Sequence, residues 1–196
     1  MISVDIRTKA FGETPILEGV AFDVAAGETV ALLGPSGIGK TTLLRIVAGI
    51  DAEYVGAVTR PERCAIVFQE PTLLPWRSAR KNLTLVHAGL SAEAAEAALA
   101  RVGLGAKGDA FPGQLSLGQQ RRLALARAFA APPEMLILDE PFVSLDEDNA
   151  RDMMDLTRTL IDDARPATLF VTHSEAEAER LADRVLRLAG SPATIA

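Results

Sequence analysis

Residues 34 to 41 read Gly34-Pro35-Ser36-Gly37-Ile38-Gly39-Lys40-Thr41 and fit the spacing G-x-x-x-x-G-K-[ST]. Glycines let a backbone wrap a phosphate with its N–H groups turned inward. A helix start just beyond adds partial positive charge. In such a loop Lys40 reaches the β- and γ-phosphates of a nucleotide, and the Thr41 hydroxyl ligates Mg2+. Pro35, Ser36, Ile38 and Thr42 fill out the candidate contacts. A glycine-rich turn ending in a surface lysine is the plainer alternative. The flanks decide between them. The apolar run Thr29-Val30-Ala31-Leu32-Leu33 precedes the loop and the helix-like Thr42 to Ala48 follows it. Strand, loop and helix in that order are the context the motif requires.

A second group stands at Met135-Leu136-Ile137-Leu138-Asp139-Glu140. Four apolar residues make a buried strand, and two carboxylates stand at its C-terminal end, where open α/β sheets place ligands. Asp139 is placed to hold Mg2+ through water, and Glu140 to polarise a water for in-line attack on the γ-phosphate. A strand ending in solvated acids is the bland reading, and the phosphate loop upstream argues against it. Leu115-Ser116-Leu117-Gly118-Gln119-Gln120 opens a helix in which Ser116 and Gln119 form an S-x-x-Q capping box. The same geometry, a hydroxyl and a glycine at an exposed helix start, is an anion site. With two phosphate-binding helix starts in one chain, the second implies a site completed by another copy.

These residues need a scaffold, and the hydropathy pattern supplies one. Ile2-Val4-Ile6 and Val20-Phe22-Val24 alternate as half-buried strands, joined through the turn-rich Phe11 to Pro15. Gly49 closes the helix after the phosphate loop, residues 50 to 63 read as an irregular or hairpin region, and Cys64 to Phe68 is the next strand. From Trp76 to Ala131 the pattern is helical, with Ser91 capping an Ala-rich helix to Val102 and a second helix from Ser116 stopped by Pro132-Pro133. Strand runs return at 135–138, 167–171 and 184–188. A helix from Glu147 to Ala164 presents Met153, Leu156, Leu160 and Ile161 on one face, and Ser174 with Glu177 forms an S-x-x-E box. Alternating strands and helices predict an α/β fold around a mainly parallel sheet, with an N-terminal antiparallel β region and an inserted helical subdomain. The expected organisation is one domain over 1–196, with a core of 1–75 and 132–196 and a helical subdomain of 76–131.

Composition narrows the class. The chain has 196 residues, a net charge of −6 and 48% hydrophobic residues, of which few are aromatic. Cys64 is the only cysteine, which excludes an internal disulfide and suits a reducing compartment. No uncharged apolar stretch reaches the length of a membrane span, and the N-terminus lacks a signal peptide's apolar block. A soluble cytoplasmic chain is expected, with no room after the last strand for a regulatory domain. Charge is uneven: residues 77–133 carry 8 basic and 3 acidic side chains, and residues 134–196 carry 6 and 14. The acidic total argues against nonspecific nucleic-acid binding.

Taken together, GPSGIGKT, Gln69, LSLGQQ, LILDE, Ser144-Leu145-Asp146 and His173 resemble, in order and spacing, the nucleotide-binding domains of ABC-type ATPases. The resemblance covers the whole chain and implies a P-loop NTPase fold, ATP and Mg2+. It assigns Phe11 to stacking on adenine, and Gln69 to Mg2+, the attacking water and coupling to a membrane partner. It assigns Ser116, Gly118 and Gln119 to the γ-phosphate held by the opposing subunit, and His173 to a switch near that phosphate. It implies a head-to-tail dimer of two copies, transmembrane permease subunits and, through them, a solute-binding protein. The place is then the inner face of the cell membrane. Residues 69–78, with Leu73-Leu74-Pro75-Trp76, look like the importers of nitrate, sulfonate and taurine-type solutes. Trp76 either packs inside the helical subdomain or lies on a surface that receives a permease helix. Two departures stand out. Leu117 replaces the first glycine of the usual LSGGQ, and the segment from Lys40 to Gln69 is short, so a trimmed β-hairpin region is expected there. A soluble ABC-type ATPase without a permease and a P-loop small-molecule kinase are the alternatives. The kinase leaves LSLGQQ and His173 without a role.

Overall fold

Strands buried on both faces need apolar residues at every position, and strands with one wet face need alternation. The chain uses both patterns, in different parts of one sheet. The computed structural model describes residues Met1 to Ala196. In chain order the elements are β1 (Ile2–Phe11), β2 (Thr14–Val24), β3 (Thr29–Leu33), α1 (Lys40–Val47), β4 (Val55–Thr59) and β5 (Cys64–Val67). Then come α2 (Ala79–Thr84), α3 (Ala92–Arg101), α4 (Leu117–Phe129), β6 (Met135–Asp139) and α5 (Glu147–Ala164). The chain closes with β7 (Ala167–Val171), α6 (Glu175–Leu181), β8 (Arg184–Gly190) and β9 (Ala193–Ile195).

The nine strands form one sheet in the order β4-β1-β2-β9-β8-β3-β7-β6-β5. β3 pairs in parallel with β7 and β8, and β6 with β7. β3 and β7 are buried throughout, in keeping with runs that are apolar except for Thr29 and Thr168. β1 pairs antiparallel with β2 and with β4, and its even positions Ile2, Val4 and Ile6 are buried. A parallel core with an antiparallel N-terminal region is therefore the observed architecture. Each buried Val or Leu contributes about 1.5–3 kcal/mol, so these runs hold the sheet's centre most firmly.

The chain groups into two compact units. The first holds residues 1–66, 134–140 and 165–196, and the second 67–133 and 141–164. These boundaries differ from the 76–131 read from the sequence, because α5 groups with the helices. Its buried stripe is Met153, Thr157, Leu160 and Ile161, and it lies against α4. Leu156, expected on that stripe, is only half-buried, and Thr157 takes the core position by donating its hydroxyl to the Met153 carbonyl at 2.7 Å.

Several other expectations change. The hairpin expected within 50–63 is absent. β4 adds to β1 at one edge of the sheet and β5 lies at the other. The turn expected over Phe11 to Pro15 contracts to Gly12-Glu13, since Phe11 and Thr14 already pair. β9 went unread, being three residues long. Trp76 does not pack inside; it is 67% exposed. The Ser174 cap forms, with the Glu177 N–H donating to its hydroxyl at 3.3 Å, but the box is not reciprocal. Glu177 instead accepts the Thr172 hydroxyl at 2.5 Å, and Thr172 accepts the Ser174 N–H. Cys64 is half-buried, and burial pushes its thiol pKa up, which disfavours the thiolate.

Candidate functional site

In the first unit, β3 delivers the loop 34–39 and α1 leaves it. Gly39 caps α1 with φ 110° and supplies no side chain, so the first-turn N–H groups have no side-chain acceptor. A Cβ on Gly39 would stand 3.0 Å from the side chains of both Ile16 and Leu17. A Cβ on Gly34 would meet the Leu188 carbonyl at 3.1 Å. Packing alone therefore demands glycine at both positions. Ile16 is the extra residue of β2 where the β1–β2 register shifts, so the bulge aims the hairpin at the phosphate loop. α1 ends in a Schellman motif at Gly49, with Ile50 N–H donating to Arg45 O and Gly49 N–H to Ile46 O.

Lys40 is 5% exposed, and its ammonium donates to the carbonyls of Gly34 at 2.7 Å and Pro35 at 3.0 Å. Its third direction meets Glu140, with Nζ 3.8 Å from Oε1. The other Glu140 oxygen lies 3.6 Å from Nδ1 of His173, which is mostly exposed. Glu140 holds φ 46° and its N–H donates to Val171 O at 3.0 Å, so the end of β7 locks the turn that carries it. His173 follows β7, and the Thr172–Glu177–Ser174 bonds pin its turn. Asp139 ends β6 half-buried, and α1 lies against that strand. Burial, and then the neighbouring Glu140, raise the Asp139 pKa, while Lys40 and Arg45 pull it back less. Thr41 is exposed and Thr42 half-buried in the first turn of α1; Pro35, Ser36 and Gly37 are exposed and Ile38 half-buried. Phe11 stands at the end of β1, 55% exposed, with the Lys9 ammonium 4.7 Å from its ring centroid.

The second unit carries the remaining candidates. Ser116 caps α4 through a complete box: Gln119 N–H donates to its hydroxyl at 3.3 Å, and Ser116 N–H donates to Gln119 Oε1 at 3.1 Å. Leu117 is 49% exposed, and Gly118 is half-buried behind it. Exposed Gln69 lines a cleft of ≈ 650 Å³ with Thr72, Pro75, Leu117, Gln120 and Ser144. Asp146 is the cap of α5, accepting the Asn149 N–H at 3.0 Å.

Lys40, Asp139, Glu140 and His173 are therefore brought together in one unit, and Gln69, Leu117 and Ser144 around one cleft in the other. Sequence reasoning missed three residues. Lys9 sits inward because the β1–β4 register slips between Ile6 and Thr8, which defeats simple alternation. Thr172 adjoins His173 but reads as the end of a strand. Arg121, buried in α4, donates through Nη2 to Val143 O, next to Ser144, while its Nε and Nη1 have no partner. A second arginine beside Arg122 on a helix gives no signal of burial.

Residues 17–143 match the family model described as ABC transporter. An aliphatic sulfonates import ATP-binding protein, SsuB 2 of Streptomyces avermitilis, is 48% identical over 184 residues, covering 92% of this chain and 74% of that protein. SsuB of Granulibacter bethesdensis, named for the same import, is 49% identical over 189 residues, covering 96% and 79%. A solved dimeric post-hydrolysis state of the ATP-binding cassette MJ0796, bound to ADP and Pi, superposes with a TM-score of 0.83 at 26% identity, covering 100% of this chain and 96% of that one. An uncapped phosphate loop beside a strand-end pair of carboxylates thus occurs on a fold and sequence shared with these proteins, and the chain belongs to the ABC transporter family.

Proposed function

We propose that the chain binds ATP in its first unit, hydrolyses it, and drives an ABC-type importer for solutes of the aliphatic sulfonate class. The observation that carries the reading is Glu140, held between Lys40 and His173 at 3.8 and 3.6 Å beside a helix start with no side-chain cap. The phosphates of ATP lie against the N–H groups of residues 34–42, and Phe11 receives the adenine. Lys40 exchanges its own loop's carbonyls for β- and γ-phosphate oxygens. Glu140 orients and polarises the water that attacks the γ-phosphorus in line, as the bond to the β–γ bridging oxygen breaks. His173, beside the other Glu140 oxygen, contacts the γ-phosphate.

Mg2+ fits the residues present. No cluster of three His, Cys, Asp or Glu side chains forms a protein cage, and Mg2+ is held through one or two protein groups plus phosphates and waters. Asp139, half-buried at the end of β6, and the Thr41 hydroxyl would hold it. There Mg2+ would supply positive charge that offsets the charge of the triphosphate. Ser116, Gly118 and Gln119 take the γ-phosphate of a second copy, so two chains enclose two ATP molecules. Permease subunits and a solute-binding protein complete the importer. In this reading the chain works as a peripheral subunit bound to the permease at the cytoplasmic face; no helix here is long and apolar enough to cross a membrane.

The test is Glu140→Gln with Mg-ATP. ATP binding is expected to persist while turnover falls about 100-fold or more, and light scattering is expected to show a dimer with ATP and a monomer without. Near-normal phosphate release by this variant would remove Glu140 from the chemistry. A strictly monomeric species at saturating ATP would remove the shared site.

A further inference from the structure

Lys9 is the largest side chain buried almost completely, at 1% exposed, and it carries a charge. A buried ammonium is costly unless its donors are met. Here they are. Nζ donates to Asp51 Oδ1 at 2.9 Å and to the Glu53 carbonyl at 2.7 Å, and lies 2.8 Å from Asp51 Oδ2. Asp51 also accepts the Glu53 N–H at 2.9 Å, so the receiving loop is itself closed. That loop begins just past Gly49, where α1 ends. The Lys9 bond to Asp51 holds the carboxyl below its usual range, followed by the Glu53 N–H.

The same ammonium stands 4.7 Å from the centroid of the Phe11 ring. A cation within about 6 Å of a ring face is attracted by its quadrupole. Phe11 is otherwise poorly supported. It is 55% exposed and precedes Gly12, whose φ is 60°, at a two-residue hairpin turn. Lys9 is thus the charged support of a ring whose remaining surface is open to solvent. Its fixed position follows from α1, the helix whose other end opens the phosphate loop.

We propose that Lys9 is a positioning residue that fixes the Phe11 ring as the platform on which the nucleobase of the bound nucleotide stacks. The proposal rests on reading the first unit as an ATP site. Lys9 touches neither base nor phosphate. It acts by restricting the ring to one orientation, so that binding ATP does not have to order it. The bond to Asp51 ties this platform to α1, so base and triphosphate are received by one connected piece of structure. Only a ligand with a base benefits.

The experiment titrates Mg-ATP and magnesium tripolyphosphate, which lacks the nucleoside, into the full chain by calorimetry. The variants are Phe11→Ala, the charge-balanced pair Lys9→Met with Asp51→Asn, the three changes combined, and Lys9→Arg. Phe11→Ala is expected to weaken ATP about tenfold and leave tripolyphosphate unchanged. The balanced pair is expected to weaken ATP about threefold, again without affecting tripolyphosphate, and to add nothing once Phe11 is Ala. Lys9→Arg, which keeps the cation, is expected to retain more of the ATP-over-tripolyphosphate ratio than the pair does. If the balanced pair and Lys9→Arg weaken both ligands equally, or neither, while Phe11→Ala remains selective, the positioning role is overturned and the ATP site stands. If Phe11→Ala leaves the ratio unchanged, there is no platform and the proposal falls with it. If wild-type chain binds neither ligand, the ATP site itself is overturned.

Discussion

α1 and α4 both start at candidate phosphate contacts, and they treat their free N–H groups in opposite ways. α1 starts at a left-handed glycine with no side-chain cap. α4 starts at Ser116 and satisfies itself through a reciprocal box with Gln119. An orphan N–H at a helix start is a ready partner for an anion, and one already bonded to a neighbour is not. Within the first unit a lysine, two carboxylates and a histidine gather beside the open start. Beside the closed start the exposed group is the apolar Leu117. The open start is built to receive a ligand in the single chain. The closed start meets part of its own need within the chain, and under the proposed shared site it would have to exchange those bonds for a phosphate from a second copy.

The largest effect that tests this contrast is Lys40→Ala. It removes a nearly buried cation from the open start, and turnover is expected to fall at least about 100-fold, with ATP affinity weakened as well. Comparable turnover in the variant, measured as phosphate release, would break the contrast at its stronger end. Gly39→Ala comes next. It forces a side chain into φ 110° and into Ile16 and Leu17 at 3.0 Å. It is expected to cost about 1–3 kcal/mol in denaturant unfolding and to weaken ATP and tripolyphosphate together, unlike a change at Phe11. Leu117→Gly has the smallest effect. Glycine in a first helical turn costs up to about 1 kcal/mol, so a slightly lower melting temperature is expected. In Mg-ATP the dimer is expected to tighten or turnover to rise, because the exposed side chain no longer stands where the opposing phosphate approaches. If neither improves, the closed start tolerates Leu117 and the steric argument is wrong.

The central strands were legible because nearly every residue there answers one demand, burial on both faces. β3 and β7 are apolar at every position but one threonine each, as two-sided burial favours, and their ends agree with the runs read from the sequence. The Ser116 box was legible because capping is local, spanning four residues. What failed depended on partners distant in sequence. Residues 50–63 read as a hairpin because β4 and β5 are adjacent in sequence, yet each pairs elsewhere. Lys9 was invisible because a bulge, not the alternation, turns it inward. Glu177 reads as the return half of a cap, but the nearby Thr172 hydroxyl takes its carboxylate. In the second unit, Trp76 was equally compatible with core and surface, since a large aromatic suits either.

The order of strands also fixes when the site can exist during synthesis. β3, which delivers the phosphate loop, pairs through Thr29 with Thr168 and through Val30 with Arg184. Its flanking strands therefore leave the ribosome long after it does, whereas residues 67–133 of the second unit are contiguous and emerge before those strands. A nascent chain can form α2 to α4 while Lys40 still lacks the sheet that holds it. Non-local pairing of this kind is slow and leaves apolar edges uncovered until the last strands arrive. Glu140 obeys the same timing, since its N–H waits for Val171. Nucleotide competence is thus gained late, as one of the final events of folding, and a chain halted before residue 167 carries the motif without the site.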